Sequence, residues 1–173
     1  MTLRASPKSL LPMAKTDKPT QPNEPEIKSI ARNKRAKFDY HILETWEAGI
    51  VLTGTEVKSL RDGRANITDA YGIVKDGEVF LLNLHISQYE RGGYTNHEPA
   101  RTRKLLLHRK EIRRLIGAVE RQGLTLIPLE LYFKNGVAKV ALALGKGKKL
   151  HDKRDTERER DAAREIARAV RVR

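Results

Sequence analysis

Four short segments of this chain are rich in lysine and arginine, the residue types that bind phosphate groups. A guanidinium group suits phosphate because it donates two parallel hydrogen bonds, and an ammonium group supplies a compact positive charge. One charged run is usually only a solvated face, but four of them favour a surface that binds a polyanion. The segments are residues 32–37, Lys58 with Arg61, residues 101–104 (with Arg101, Arg103 and Lys104) and residues 146–149.

The net charge of the chain supports the same interpretation. There are 35 lysine and arginine residues against 22 acidic ones, which gives +13 in 173 residues. An excess of this size indicates a nucleic acid or an acidic membrane surface as partner, with a merely soluble basic protein as the alternative. Aromatic residues are only 5% of the chain, which disfavours a platform that stacks many bases. Recognition of folded RNA through its shape and phosphates fits better.

Catalytic and metal-binding patterns are missing from the sequence. The lack of cysteine excludes disulfides, thiolate metal sites and cysteine nucleophiles. The five histidines form no metal-ligand spacing such as HExxH, and residues 145–148 lack the spacing of a phosphate-binding loop. Asp62, Asp69 and Asp76 fall in predicted turns, where aspartate commonly caps the backbone. We therefore predict a protein that is not an enzyme and uses no metal and no cofactor.

The first 30 residues differ in composition from the rest of the chain. They contain five of the seven prolines and show no apolar periodicity, so we expect a disordered extension at residues 1–30. Two translational starts, Met1 and Met13, are left open. No apolar run approaches the roughly 20 residues of a transmembrane helix or the length of a signal peptide, which predicts a cytoplasmic protein without membrane contact.

Turn signals and alternating residues predict most of the strands. Asp76-Gly77 and Asn135-Gly136 each separate two apolar runs, and such dipeptides are typical of tight β-hairpins. Two further strands are predicted on either side of residues 44–47. The predicted strands are residues 38–43, 48–52, 71–75, 79–86, 124–134 and 137–144.

Two helices are predicted between these strands. Residues 109–121 place Ile112, Leu115, Ile116 and Val119 on one face, and Gly123 ends the pattern. A shorter helix is expected to begin with Thr55 as its cap and to end before Gly63. The fold class is therefore mainly β with helices: an oligonucleotide-binding-like antiparallel β-barrel with short helices and a basic C-terminal tail.

The domain boundaries follow from these elements. The predicted barrel covers residues 31–144, and residues 145–173 form the tail, which carries 11 basic and 6 acidic residues, hence 11 − 6 = +5. The Gly-Lys-Gly-Lys-Lys stretch at its start is typical of a flexible connector. A weak apolar stripe that includes Ile166 and Val170 predicts a tail that is disordered when free and helical when docked.

Several long motifs resemble one known family. The runs WEAGIVLTGTEVKSLRDGRANITDAY, NHEPARTRKLLLHRKEI, LELYFKNGVAKVALALGKGKKLHDKR and RDTERERDAAREIARAVR, in this order, resemble the SmpB family of transfer-messenger-RNA-binding proteins. The resemblance covers about residues 30–173. It implies a non-enzymatic protein with an oligonucleotide-binding-like barrel. Such a protein binds the tRNA-like domain of transfer-messenger RNA and delivers it, with elongation factor Tu, to stalled ribosomes for peptide tagging.

The resemblance also implies which residues bind RNA. The positions that match the family's RNA-binding motifs are Asn33, Lys34, Arg35, Glu47, Leu106 and Lys139. Glu47 has only acceptors, so we expect it to receive hydrogen bonds from a base or hydroxyl, or to orient a neighbouring cation. Leu106 is equally open to ordinary core packing. Lys139 alternates with Val140 and is expected to face away from the apolar side.

The same resemblance assigns the tail to the ribosome. Its implied contacts, at the decoding centre and in the empty messenger channel, are Lys148, Lys149, His151, Asp152, Lys153, Arg154, Ile166 and Val170. The predicted partners are therefore transfer-messenger RNA, small-subunit ribosomal RNA and, through the RNA, elongation factor Tu; the protein is predicted to be a monomer. Two alternatives stay open: another translation-linked RNA-binding barrel protein, and an RNA-processing enzyme.

Overall fold

The structure, a computed structural model, describes residues 26–93 and 96–149 and eight further residues between positions 152 and 169. The side chains of residues 121 and 122 are outside the description. Nine strands and three helices are present in the described part. The strands are β1 (Ile27–Arg32), β2 (Tyr40–Ile50), β3 (Ala65–Asn66), β4 (Tyr71–Lys75), β5 (Glu78–Leu82), β6 (His85–Ile86), β7 (Arg103–Leu106), β8 (Thr125–Lys134) and β9 (Val137–Gly147). The helices are α1 (Ala36–Asp39), α2 (Gly54–Arg61) and α3 (Arg109–Gln122).

Six of the strands close into an antiparallel barrel. The main sheet has the order β1-β8-β4-β5-β7-β2-β9, and β9 pairs again with β8, which completes the ring. One edge of β8 is shared, because β4 pairs with its first half at Leu126 and β1 with its second half from Glu130 to Lys134. Closing the ring pairs each of these six strands with a neighbour on both sides, so none of the six is an edge strand. The predicted mainly-β barrel is confirmed.

The core of the barrel follows from the alternation of the strands. Ala48 of β2, Leu81 of β5, Leu105 of β7 and Leu142 of β9 have no more than 2% of their surface exposed. Successive side chains of a strand point to opposite faces, so the residues next to these inward positions point outward. The inward set packs into a single apolar cluster together with Leu115 of α3. The outward set is therefore held on a rigid support.

Both predicted hairpins are confirmed, but the strand predicted at residues 79–86 is divided into β5 and β6, because Asn83 between them has a φ of 57°. Asp76 and Gly77 join β4 to β5, and Asn135 and Gly136 join β8 to β9. All four turn residues have positive φ angles, between 50° and 78°. This conformation is accessible to glycine and tolerated by Asn and Asp, which explains why the turn signals were reliable.

The strand prediction for residues 38–52 is wrong in two respects. Phe38 lies in α1 rather than in a strand, because the Asn33 side chain accepts the N–H groups of Arg35 and Ala36 and starts a helical turn there. In addition, β2 runs without interruption from Tyr40 to Ile50. A register shift between Ile42 and Glu44 changes which residues face inward, so one long strand resembles two short ones in the sequence.

The helix predictions are mostly confirmed. The amphipathic helix α3 begins at Arg109 and ends before Gly123, whose φ of 59° suits a left-handed C-terminal cap. The cap of α2 was assigned to the wrong threonine. Thr53 precedes the helix, and its N–H group donates a hydrogen bond of 2.7 Å to the Glu56 carboxylate three residues later.

The element bounds differ from the predicted domain boundaries at both ends. Residues 27–30, which were placed in the N-terminal extension, belong to β1. Residues 145–147, which were placed in a flexible connector, belong to the end of β9, where Gly145 pairs with Ile42 and Thr125. The predicted disorder of residues 1–25 lies outside the described residues.

Candidate RNA-binding surface

An outward row of side chains crosses four neighbouring strands of the barrel. Leu106 of β7 is paired with Gly49 of β2, which is paired with Lys139 of β9, which is paired with Tyr132 of β8. Directly paired residues of a sheet lie side by side on the same face. Glu47, two residues before Gly49, lies on that face as well. The family-derived positions Glu47, Leu106 and Lys139 thus come together in one surface, which we call the outer row.

Glu47 is the centre of a hydrogen-bonded cluster in the outer row. Its carboxylate accepts a hydrogen bond of 2.7 Å from the Tyr132 hydroxyl and one of 2.9 Å from the Lys134 ammonium group. The Lys139 ammonium group donates a further short hydrogen bond to the same carboxylate. The three charged side chains keep between 30% and 35% of their surface exposed. One carboxylate therefore holds two cations in fixed positions at an accessible surface.

The cluster shifts the pKa of both the acid and the tyrosine. The hydrogen bond from Lys139, followed by those from Lys134 and Tyr132, lowers the pKa of Glu47 from 4.5 to about 2. Burial, together with the negatively charged Glu47, raises the pKa of Tyr132 to about 12. At neutral pH Glu47 is charged and Tyr132 is a neutral donor. With two lysines against one carboxylate, the cluster keeps a net positive charge that can face phosphate.

Leu106 belongs to the surface and not to the core. Its exposed fraction is 52%, while its neighbour Leu105 is 2% exposed and faces inward. A Cβ atom on Gly49 would lie 3.3 Å from the Leu106 Cβ, so the leucine side chain rests directly over the glycine. Because Gly49 has no side chain, Leu106 can lie over it and so comes next to the charged cluster. The alternative of ordinary core packing for Leu106 is wrong.

Arg101 and Arg103 were predicted to bind RNA, but both are engaged inside the protein. Arg103 has no exposed side-chain surface; it lies 2.8 Å from the equally buried Glu56 and donates hydrogen bonds to the carbonyl oxygens of Leu84 and Pro99. Arg101 binds both carboxylate oxygens of Glu56, at 2.7 and 2.6 Å. A side chain without exposed surface cannot contact RNA, so the prediction is wrong for Arg103.

Burial and pairing act in opposite directions on this internal network. Burial alone would raise the pKa of Glu56, but hydrogen bonds from Arg101 and from the Thr53 backbone and the charge of Arg103 together lower it. Burial lowers the pKa of Arg103, against the attraction of Glu56. Both groups are therefore charged, and each depends on the other for compensation. In the sequence, a basic run that contains Arg101 and Arg103 does not distinguish this internal network from a binding surface.

The three neighbouring positions 33–35 differ in burial: Asn33 is buried, whereas Lys34 and Arg35 are exposed. Asn33 is 8% exposed, and besides accepting the two N–H groups at the start of α1 it donates to the carbonyl oxygens of Ile67 and Thr68, at 3.5 and 3.3 Å. It therefore positions its neighbours through hydrogen bonds on both sides. Lys34 and Arg35 are exposed, and the Arg35 guanidinium lies 3.6 Å from Asp39.

Lys58 and Arg61 lie on α2, and Lys104 lies on β7 two residues before Leu106, on the same outward face as that leucine. Lys58 is exposed on α2, with its ammonium nitrogen 5.4 Å from the centre of the Tyr89 ring. Arg61 is exposed on the same helix and lines a shallow depression with Lys28 and Gly136. Lys104, half-exposed on β7, forms an ion pair with Glu78. Of these three cations, Lys104 therefore adjoins the outer row at Leu106.

The beginning of the tail is attached to the barrel. The N–H group of Lys148 donates to the carbonyl oxygen of Asp39 at 2.9 Å, and its ammonium group donates to the carbonyl oxygen of Lys37 at 3.1 Å. Asp152 accepts a hydrogen bond of 3.1 Å from the Lys149 N–H group and lies 3.6 Å from His41. The connector predicted to be flexible is therefore fixed at its start.

The rest of the tail is described only in part. Its described residues have helical backbone, Arg154 is exposed, and Ile166 is 65% exposed. The predictions for His151, Lys153 and Val170 lie outside the described residues. Within the part of the chain that the structure describes, no group of three acidic or histidine side chains could hold a metal ion. In that same part, no helix is long and apolar enough to cross a membrane.

Comparison with known proteins identifies the family of this chain. The family model described as SmpB protein matches residues 30–172. The chain is 62% identical over 143 residues to the SsrA-binding protein of Acidothermus cellulolyticus, covering 83% of this chain and 90% of that protein. It is 60% identical over 148 residues to the SsrA-binding protein of Geobacillus sp. strain WCH70, covering 86% and 96%. The resemblance seen in the sequence motifs is confirmed.

The fold also resembles a solved structure. A chain of a structure described as "tmRNA-SmpB: a journey to the center of the bacterial ribosome" superimposes with a TM-score of 0.61 at 52% sequence identity. The matched region covers 75% of the present chain and 95% of the solved one. The likeness therefore extends over nearly the whole of that solved chain.

Proposed function

Because the chain belongs to the SmpB family, we propose that it binds transfer-messenger RNA and brings it to stalled ribosomes in trans-translation. The observation that carries this proposal is the outer row. Glu47 and Lys139 are 92 positions apart in the sequence, yet their side chains are hydrogen-bonded at an exposed surface, with Leu106 beside them. Convergence of charged and apolar groups on a rigid sheet is the arrangement expected of a binding surface.

The outer row can recognise RNA through two kinds of contact. Lys134 and Lys139 supply ammonium groups to phosphate, and Glu47 keeps both of them in place. The exposed Leu106 offers an apolar contact to a ribose or base. Glu47 itself has no acceptor position left for RNA, because each of its two carboxylate oxygens already accepts two hydrogen bonds from Tyr132, Lys134 and Lys139. Tyr132 and Lys134, which the sequence analysis did not single out, belong to this surface.

The proposal includes the finer features that the resemblance implies. The RNA element bound is its tRNA-like domain, elongation factor Tu takes part through the RNA, and the protein acts as a cytoplasmic monomer without catalysing a reaction. Asn33 supports the RNA-binding surface from inside, while Lys34, Arg35, Lys58, Arg61 and Lys104 provide accessible charge. An alternative translation-linked RNA-binding barrel is disfavoured by the family match over residues 30–172.

We assign a second task to the tail. Ile166 is a large apolar residue that is 65% exposed on a helical segment, so the barrel does not cover it. An exposed apolar group of this kind is suited to a partner surface. The positive charge of residues 145–173 favours a channel lined with RNA phosphate, and a channel filled with messenger would exclude the tail. The tail therefore binds only when the messenger channel of the ribosome is empty, whereas the barrel binds the transfer-messenger RNA.

A truncated protein tests the whole assignment. We expect the chain ending at Gly147 to bind isolated transfer-messenger RNA like the full chain, because the outer row is complete without the tail. The same protein should fail to support peptide tagging in a reconstituted translation reaction with stalled ribosomes. Failure of the full chain to bind the RNA would refute the function; normal tagging by the truncated chain would refute only the task of the tail.

Two full-length double variants test whether tagging depends on the residues at positions 166 and 170, and not only on the length of the tail. Replacing Ile166 and Val170 together by glycine removes helix propensity and the apolar groups, and should reduce tagging. Replacing the same two residues by leucine keeps both properties and should leave tagging close to the level of the unmodified protein. Equal tagging by the two double variants would contradict a helical tail.

A further inference from the structure

A polar cleft lies between the beginning of β2 and the turn that precedes β4. Its volume is about 280 Å³, and its lining includes Arg35, Tyr40, Asp69, Tyr71 and Thr125. This is just below the range of about 300–1,000 Å³ that is usual for ligand pockets, so one planar ring system suits it better than a longer ligand. Asn33 also belongs to the lining, and Asn33 and Arg35 are the two lining residues that were part of the predicted RNA-binding surface.

Asn33 holds the two walls of this cleft together. Its side chain accepts the N–H groups of Arg35 and Ala36 on one wall, at 3.1 and 3.0 Å. It donates to the carbonyl oxygen of Thr68 on the other wall, at 3.3 Å. All of these groups come from the cleft lining or its immediate support, so the cleft is formed before any ligand arrives. A preformed site loses less entropy on binding than one that has to be ordered.

The chemistry of the cleft does not suit phosphate. Two carboxylates, Asp39 and Asp69, are part of its lining in a protein whose net charge is +13. Asp39 is engaged by Arg35 at 3.6 Å. In the part of the chain that the structure describes, the side chains of Asp69 and Tyr71 have no hydrogen-bond or ion-pair partner, and Tyr71 is 40% exposed. An available carboxylate next to an exposed aromatic ring accepts N–H donors on an aromatic ligand.

We propose that this cleft receives one unpaired guanine of the bound RNA. Tyr71 stacks on the base, and the two Asp69 carboxylate oxygens accept hydrogen bonds from its N1–H and N2–H groups. Guanine is favoured because its Watson–Crick edge places two N–H donors side by side, which matches an acceptor-only carboxylate. Unstacked bases are commonly recognised in this way, by an aromatic ring and hydrogen bonds to the Watson–Crick edge. The proposal rests on the RNA-binding function proposed above.

Two aspartate variants of equal charge test the cleft. Asp69→Asn and Asp76→Asn each remove one negative charge, and Asp76 lies in the β4–β5 turn at a φ of 53° that asparagine tolerates. General electrostatic attraction predicts that both bind a tRNA-like-domain transcript slightly more tightly. Recognition by Asp69 predicts that Asp69→Asn alone binds about tenfold more weakly, since it loses a two-bond contact to a base. If Asp69→Asn binds as tightly as Asp76→Asn, the cleft proposal is wrong.

Substitutions in the RNA and at Tyr71 identify the base. In a set of transcripts that each carry inosine at one unpaired guanosine, one member should bind the full-length protein about fivefold more weakly, because the N2 amino group is missing. The Asp69→Asn variant should bind that inosine transcript and the unmodified transcript equally tightly. Tyr71→Ala should weaken binding about tenfold, and Tyr71→Phe, which keeps the ring, should not. Equal binding of every inosine transcript by the unmodified protein would overturn the proposal.

The controls separate this proposal from the function on which it rests. If the unmodified chain does not bind the unmodified transcript, both the RNA-binding function and the guanine site are refuted. If it binds and the Asp69 and Tyr71 variants behave like Asp76→Asn, only the guanine site is refuted. Thermal melts of the variants show whether a loss of binding reflects unfolding.

Discussion

Two carboxylates in this protein each bind two cationic side chains, but one cluster is at the surface and the other is in the core. Glu47 binds Lys134 and Lys139 in the outer row, where all three side chains keep about a third of their surface exposed. Glu56 binds Arg101 and Arg103, and both Glu56 and Arg103 have no exposed side-chain surface. The exposed cluster uses lysines and the buried cluster uses arginines, because the fixed donor geometry of arginine suits a buried ion pair.

The difference in burial gives the two clusters different tasks. Arg103 uses its remaining donors on the carbonyl oxygens of Leu84, Pro99 and Arg101, so it joins β7 to the loop before it. Removing such a residue leaves a charge buried without compensation. The lysines of the outer row have water as an alternative partner, so their loss costs little stability. The buried cluster is thus suited to stabilising the fold, and the accessible one is available to a partner.

The largest expected effect is on the stability of the core network. Arg103→Met should lower the free energy of unfolding by about 3–5 kcal/mol, because Glu56 keeps its charge in the core with one partner fewer. The neighbouring Lys104→Met is the matched control, since Lys104 is half-exposed and forms one ion pair with Glu78. It should cost less than about 1 kcal/mol. Urea denaturation of both variants measures the difference, and similar losses would contradict the contrast between core and surface.

An intermediate effect is expected on RNA binding by the outer row. Lys139→Ala should weaken binding to the tRNA-like domain about tenfold and reduce by about 1 the steepness of the dependence of log K on log salt concentration. Glu47→Ala should also weaken binding, because its two lysines lose their fixed positions, although simple charge counting predicts the opposite. Leu106→Ala should weaken binding without changing the salt dependence, because an apolar contact releases no counterions.

Binding titrations at several salt concentrations distinguish these three variants. Thermal melts are needed for Leu106→Ala, since an apolar substitution can also affect folding. Tighter binding by Glu47→Ala would show that the carboxylate only repels RNA and does not position the lysines. Unchanged binding by both Glu47→Ala and Lys139→Ala at physiological salt would show that the outer row is not the RNA-binding surface.

The smallest expected effect is on the pH dependence of stability. The pKa of Glu47 is lowered in the folded protein from 4.5 to about 2, so its stabilising contribution is present above about pH 4.5. The contribution is lost as the pH falls from about 4.5 towards 2, where the folded form also becomes protonated. Because the side chain is 35% exposed, screening by solvent limits the effect to less than about 1 kcal/mol.

An NMR titration of the Glu47 carboxyl group measures this shift directly. In Lys139→Ala the pKa should rise back towards 4.5, because the hydrogen bond from Lys139 is the largest cause of its lowering. A Glu47 pKa near 4.5 in the unmodified protein would mean that the cluster is not formed in solution.

Local features were read correctly from the sequence because their causes lie within a few residues. The dipeptides Asp76-Gly77 and Asn135-Gly136 have the positive φ angles that tight hairpins require. The apolar spacing from Ile112 to Val119 gives helix α3, and the glycine after it supplies the cap. The family motifs singled out Glu47, Leu106 and Lys139 by residue type and order, and their role in RNA binding stays a prediction. None of these inferences required knowledge of which strands are neighbours.

Only the tertiary structure decided how these positions are used. Arg103 and Lys104 are adjacent in a basic run, but strand alternation turns one into the core and the other outward. The pairings that bring Leu106, Gly49, Lys139 and Tyr132 into one row depend on the register of three strand pairs. The register shift in β2 is likewise a tertiary feature, and it made one long strand look like two short strands in the sequence. Residue type is a local property, whereas burial and neighbourhood arise from contacts between distant segments, and those contacts exist only once the barrel closes.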